Sequence, residues 1–161
     1  MAVLVTGCSS GIGRATALRL AARGLTVYAS ARRLDDVDGL AGCIPLRLDV
    51  TDDASMREAV GRVEREHGAV SALVNNAGYS QSGAVESVSL ADARRQLETN
   101  VLGLARLTQL VLPGMRAAGR GRIVNVSSMG GVLTFPGGGW YHASKHALEA
   151  LSDALRFELR G

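Results

Sequence analysis

The sequence predicts an α/β fold, a doubly wound parallel sheet with helices on both faces. Short runs rich in Val, Leu and Ile alternate with stretches of helical spacing along the chain, the pattern of right-handed βαβ units. The runs are almost continuously apolar rather than alternating, as suits strands buried on both faces. The first run opens directly into a glycine-rich turn, where such sheets bring a ligand to a helix N-terminus.

The strand candidates are residues 2–6, 26–30, 44–48, 70–74 and 122–126. Between the first two, residues 12–23 carry Ala and Leu at helical spacing. The polar stretch 33–43 is short and holds at most a brief helix. Residues 52–67 follow Thr51 as N-cap and place acids in the first turn. Residues 90–118 are helical with a break near Asn100–Gly103, and residues 140–160 favour helix throughout. Gly119-Arg120-Gly121 and Pro136-Gly137-Gly138-Gly139 read as loops within the domain.

At 161 residues, 47% apolar and 20% charged, the chain fits one domain, 1–161, that buries its own core. Cys8 and Cys43 are too few for a disulfide framework and match no zinc spacing. The opening MAVLVTGCSSGIG lacks a basic start and its apolar run stops at Gly7, so it does not read as a signal peptide. No apolar stretch is long enough to span a membrane. Net charge is +3, and the one lysine, Lys145, stands among 17 scattered arginines. With no basic tract or interleaved aromatics, nucleic acid is not an expected partner. A cytoplasmic location is expected.

The first run leads into Thr6-Gly7-Cys8-Ser9-Ser10-Gly11-Ile12-Gly13. This spacing, GxxxGxG, differs from the commoner GxGxxG, but the physics is shared. Gly7 turns the chain off the strand. Gly11 and Gly13 leave room for a pyrophosphate and for close helix–strand packing. The helix start offers free N–H groups and a positive dipole end to an anion. Gly7, Ser9, Ser10, Gly11, Ile12 and Gly13 are thus candidate cofactor-binding residues; the competing reading is a glycine-rich turn without a ligand.

The second run ends Ser30-Ala31-Arg32-Arg33, with no carboxylate before Asp35. A carboxylate at that point suits the free ribose hydroxyls of NAD, whereas arginine suits the 2′-phosphate of NADP. Arg32 and Arg33 therefore favour NADP over NAD; the alternative is a pair of solvated charges. The third run ends at Asp49-Val50, where the carboxylate can accept an adenine amino group. The fourth ends at Asn75-Asn76-Ala77-Gly78, and Asn76, Ala77 and Gly78 let backbone pass close to a ligand. All these loops lie beyond the carboxyl ends of strands, where open parallel sheets bind ligands.

The fifth run ends Asn125-Val126-Ser127-Ser128, and Tyr141-His142-Ala143-Ser144-Lys145 follows. Tyr141 and Lys145 are one helical turn apart and face the same way. An ammonium beside a phenol favours the phenolate, which makes tyrosine a usable proton donor and acceptor for an alcohol–carbonyl pair. Ser128 can hydrogen-bond the same oxygen. His142 and His146, also four apart, lack a third ligand and read as surface histidines, so no metal is expected. Cys8 reads as a small buried residue, and Met115 and Met129 as packing.

Gly7-x-x-x-Gly11-x-Gly13, Asn75-Asn76-Ala77-Gly78, Asn100, Ser128 and Tyr141-x-x-x-Lys145 together resemble the short-chain dehydrogenase/reductase family in order and spacing over nearly the whole chain. The resemblance implies a Rossmann-like sheet of strand order 3-2-1-4-5 and a catalytic tetrad of Asn100, Ser128, Tyr141 and Lys145. Tyr141 would transfer the proton, and Lys145 would also hold the nicotinamide ribose. Ser128, rather than Ser127, would orient the substrate. Asn100 would mark a helix break whose freed carbonyl holds a relay water. Asp49 would sit at adenine and Asn76 along the cofactor. The wording around Tyr141–Glu149 is closest to members acting on steroids, retinoids and other lipophilic alcohols or ketones.

The implied function is NAD(P)-dependent interconversion of a secondary alcohol and a ketone. Family members pair through helices equivalent to residues 100–118 and 140–160, so a homodimer or homotetramer is expected. They also continue into a sixth and a seventh strand, which this chain lacks. The fifth strand would then be an open edge. A second reading follows, a truncated cofactor-holding fragment that acts through association with another chain.

Overall fold

A computed structural model of the chain describes residues 1–159. Strands β1 (Ala2–Val5), β2 (Thr26–Ala31), β3 (Cys43–Arg47), β4 (Ala72–Asn75) and β5 (Arg122–Asn125) form one parallel sheet in the order β3-β2-β1-β4-β5. Helices α1 (Gly11–Ala21), α2 (Asp53–His67), α3 (Leu90–Leu97), α4 (Leu104–Ala117) and α5 (Gly139–Glu158) supply the crossovers and the final layer. The expected order of strands is therefore the observed one. It reverses between β1 and β4, which opens a crevice at their carboxyl ends.

Side chains alternate across each strand, and the two core layers follow from that. Val3, Val5, Val27, Ala29 and Val74 point to one face and pack with Ala17 of α1. Leu4, Tyr28 and Leu73 point to the other and pack with Val63 of α2 and Leu107 and Val111 of α4. Met115 joins this second layer. Met129, read as packing, is instead 74% exposed: the short turn that it opens packs against α5 through buried Gly130 and Gly131, which leaves the Met129 side chain outside.

A polar chain crosses the second layer. Asn75 Nδ2 donates to Thr108 Oγ1 (3.2 Å) and to Asn125 Oδ1 (2.9 Å), and Asn125 Nδ2 donates to Ser152 Oγ (2.9 Å). One network thus ties α4, β4, β5 and α5 together and holds α5 over the sheet.

Other expectations shift in detail. The N-cap of α2 is Asp52 rather than Thr51. The Asp52 carboxylate accepts from the Ala54 N–H (2.9 Å) and the Ser55 N–H (3.4 Å), while the Thr51 hydroxyl is drawn to Asp49 Oδ1 (2.7 Å). The predicted helix break is one wide turn, Glu98–Gly103, with π-type hydrogen bonding. β5 is not buried on both faces: Arg122 is exposed and Val124 is 51% exposed. The last helix was expected to reach Arg160, which lies outside the described residues.

Candidate active site

A cleft of about 1250 Å³ opens along the carboxyl ends of the sheet. Its floor starts at the turn after β1. Gly7 adopts φ +70°, and a Cβ there would lie 2.8 Å from the Ala77 Cα. The two loops after β1 and β4 can therefore touch only where one residue lacks a side chain. Gly13 is equally constrained: its Cβ would lie 2.4 Å from Asn76 Nδ2 and from the Gly7 carbonyl oxygen. Gly13 is buried and packs the helix onto the turn, whereas Gly7, Ser9, Ser10, Gly11 and Ile12 line the cleft.

The start of α1 faces this cleft without a side-chain cap, and its first turn carries no acid. Its first N–H groups and dipole therefore remain available to an anion. These residues fit the diphosphate of a dinucleotide.

Thr6 holds the two loops in register. It is fully buried; its hydroxyl donates to the Val74 carbonyl (3.2 Å) and accepts from the N–H groups of Asn76 (2.9 Å) and Ala77 (3.0 Å). Asn76 Nδ2 returns to the carbonyls of Thr6 (2.9 Å) and Gly7 (3.1 Å). Asn76, Ala77 and Gly78 line the cleft.

At the far side of the cleft lie Arg32, Arg33, Asp49 and Val50. The two arginines differ. Arg33 forks onto Asp36, with Nη2 2.6 Å from Oδ1 and Nε 3.2 Å from Oδ2, and this carboxylate holds Arg33 more firmly protonated. Among the described residues Arg32 has no ion pair and is exposed. Asp49 Oδ1 accepts from the N–H (2.9 Å) and hydroxyl (2.7 Å) of Thr51.

The near end of the cleft is formed by α5. Tyr141 and Lys145 line it together, one turn apart, with Lys145 Nζ 5.9 Å from the centroid of the Tyr141 ring. Nζ donates to the Val126 carbonyl at the end of the β5 strand run (2.8 Å). Burial pushes the Lys145 ammonium below its ordinary range, and Glu149 works against that shift.

Asn100 is fully buried in the wide turn. Its Oδ1 accepts from the Tyr79 N–H (3.1 Å), and its Nδ2 donates to the Tyr79 carbonyl (2.8 Å) and to Ser144 Oγ (3.1 Å). Its amide is thereby occupied in pinning the loop after β4 to α5. Ser128 caps the short turn Met129–Gly131, accepting from the Gly130 N–H (3.1 Å). Its neighbour Ser127 lines the cleft, and its buried Oγ has no partner among the described residues.

Residues 1–161 match the family described as short chain dehydrogenase. The chain belongs to that family. The chain is 41% identical over 157 residues to a 3-ketodihydrosphingosine reductase of Bacteroides thetaiotaomicron, covering 98% of this chain and 58% of the relative. It is 38% identical over 167 residues to an NADPH-dependent 3-dehydrocapnine reductase of Ornithobacterium rhinotracheale, covering 97% and 59%. A short-chain dehydrogenase structure from Streptomyces avermitilis superposes with a TM-score of 0.94 at 44% identity, covering 98% of this chain and 60% of that one. The chain thus spans about three-fifths of the length of these relatives. No helix among the described residues is long and apolar enough to cross a membrane.

The cleft gathers the predicted cofactor residues from four loops and from α5, with Gly13 behind them as packing. It also includes residues the sequence did not single out, among them Tyr79, Ser80, Arg95, Glu98 and Thr99. They come from the loop after β4 and from α3 and the wide turn, which approach the sheet ends only when folded. Thr6 stood inside the glycine motif, but its part in joining two loops depends on pairing residues about seventy positions apart. The surface reading of His142 is incorrect: it is 1% exposed, because the loop before α5 folds over its ring. His146 is exposed, as expected.

Proposed function

We propose that the chain is the NADP-binding and catalytic domain, 1–161, of an oxidoreductase interconverting a secondary alcohol and a ketone, with Tyr141 as its acid/base. The observation carrying this reading is the pairing of Tyr141 with a buried, backbone-anchored Lys145 in the cleft that the glycine-rich turn after β1 also lines. The nicotinamide cofactor, when bound, supplies or accepts the hydride.

In this reading the residues divide the work. The uncapped start of α1 and the turn Gly7–Gly13 hold the diphosphate. Arg32 takes the 2′-phosphate, with Arg33 set back by its pair with Asp36. Asp49 and Val50 flank the adenine. Asn76, Ala77 and Gly78 follow the cofactor backbone. Lys145 binds the nicotinamide ribose and places positive charge beside Tyr141. Ser128 orients the substrate oxygen, and Tyr141 gives its proton to the developing alkoxide during reduction and takes it back during oxidation. Asn100 keeps the wide turn and the loop after β4 in place for the proton relay.

The NADPH requirement in one relative's name supports the cofactor choice, and the reductase names support the reaction class. Exposed Met129, Val132, Leu133 and Phe135 beyond Ser128 support a lipophilic substrate. A homodimer or homotetramer through α4 and α5, in the cytoplasm, completes the proposal.

Tyr141→Phe tests it. The variant should bind NADPH as the parent does, by fluorescence titration, and lose about 10²–10⁴-fold in carbonyl reduction, the usual worth of a positioned acid. Undiminished turnover would sink the reading. The half-exposed strand β5 supports a second reading, a cofactor-holding chain without turnover that acts through association with another chain. NADPH binding by the 161-residue chain with no reduction across a panel of ketones would favour it.

A further inference from the structure

Directly after Tyr141, His142 occupies a socket built from the turn and loop that lead into α5 and from the helix's own N-cap, Gly138. We infer that His142 is a positioning residue, a buried peg that sets the turn bearing Ser128 against Tyr141. This inference rests on the proposed roles of Ser128 and Tyr141.

Four observations converge on it. The imidazole is 1% exposed on a helix whose adjacent positions 143 and 146 are exposed. Its Nδ1 accepts from the Phe135 N–H at 3.4 Å, at the long end of the hydrogen-bond range. The Phe135 ring meets it edge-on, with centroids 4.2 Å apart. Two glycines close on the ring beside Nε2: a Cβ on Gly130 would lie 2.7 Å from Cδ2, and one on Gly138 2.7 Å from Cε1. At Gly130 the same Cβ would lie 3.3 Å from Tyr141 Cε1. The backbone of Gly130 therefore rests on the rings of Tyr141 and His142 together.

Gly130 is also the residue whose N–H Ser128 accepts, and the Gly131 N–H returns to the Ser128 carbonyl (2.9 Å). Ser128, Gly130 and His142 thus form one mechanical unit. At its other end the loop is tied to the segment after β4, where the Gly83 N–H donates to the Gly137 carbonyl (2.9 Å). A side chain at 142 that fills the socket and accepts from Phe135 holds the Ser128 hydroxyl at a set distance from the Tyr141 phenol. An apolar residue of similar bulk leaves the Phe135 N–H without its partner, and the turn drifts. Misplacement of such a group by an ångström costs on the order of 10²-fold in rate.

The test compares His142→Leu, which keeps bulk but has no acceptor, with His142→Asn, whose Oδ1 can replace Nδ1. Both are made in the full natural chain and assayed with NADPH and a panel of lipophilic ketones. We expect His142→Leu to lower kcat by about 10²-fold with unchanged NADPH affinity and little change in ketone KM. His142→Asn should restore most of kcat. Independently of turnover, the Phe135 amide should exchange slowly in the parent and in His142→Asn, and rapidly in His142→Leu. Gly138→Ala, whose methyl strikes the ring, should reproduce the kcat loss without altering the histidine. Wild-type kcat or unaltered Phe135 exchange in His142→Leu would overturn the inference, as would an Asn variant no better than Leu. The Tyr141→Phe control separates the two levels: if it retains turnover, the reading of the site has failed; if it abolishes turnover while His142→Leu does not, only the positioning role has failed.

Discussion

Thr6 shows how one hydroxyl can govern a site it does not enter. Its Oγ1 serves the N–H groups of Asn76 and Ala77 from a fully buried position. Thr6→Val keeps the shape and removes the one acceptor that both N–H groups share. We expect a loss of about 1–3 kcal/mol for each orphaned N–H, read as a lower urea midpoint, together with weaker NADPH binding as the loops after β1 and β4 lose register. Arg32 and Arg33 were equivalent in the sequence, and the structure separates them. Arg33 is held by Asp36, and Arg32 stands open to the cleft. Arg32→Ala should lower the NADP-to-NAD affinity ratio by roughly 10–100-fold, the worth of one charge-assisted hydrogen bond, and Arg33→Ala by less. An unchanged ratio in Arg32→Ala would refute the NADP assignment. His142 marks the limit of reading residues singly: its sequence neighbours say nothing of the glycines that bury it.

The elements were legible because their signals are local. Continuous apolar runs marked the strands, and helical spacing marked α1, α2, α4 and α5 within a few residues. The wide turn Glu98–Gly103 was legible only as an interruption. Its physical reason is contact: a Cβ on Gly103 would lie 2.2 Å from the Val50 carbonyl oxygen, so the turn presses against the loop after β3. Gly103→Ala must push these two backbones apart. Overpacking of this kind costs about 1–3 kcal/mol, and a lower thermal midpoint with reduced NADPH affinity is the expected result. A variant as stable as the parent would show that the turn is not held there. The cap of α2 was misread by one residue because Thr51 and Asp52 are both good caps, and only the position of Asp49 decides which of them is otherwise engaged.

At the scale of the whole chain, the strand order among the described residues puts β5 at one edge with Val124 half exposed. An apolar edge invites pairing with another chain. The 161-residue chain should therefore self-associate with rising concentration in light scattering, and Val124→Lys should reduce that association by charging the edge. A chain that stays monomeric at all concentrations would contradict this. The succession of strands and helices and the composition of each loop follow from the sequence by itself, because propensity and hydrophobic period act over a few neighbouring residues. So do the spacing of Tyr141 and Lys145 on one helical face and the family to which the motifs point. The tertiary structure alone decided that Asn100 spends its amide on Tyr79 and Ser144, that Ser127 lines the cleft, and that His142 is buried. Each of these depends on residues outside its own element, and burial and hydrogen-bond pairing exist only once those segments have packed together.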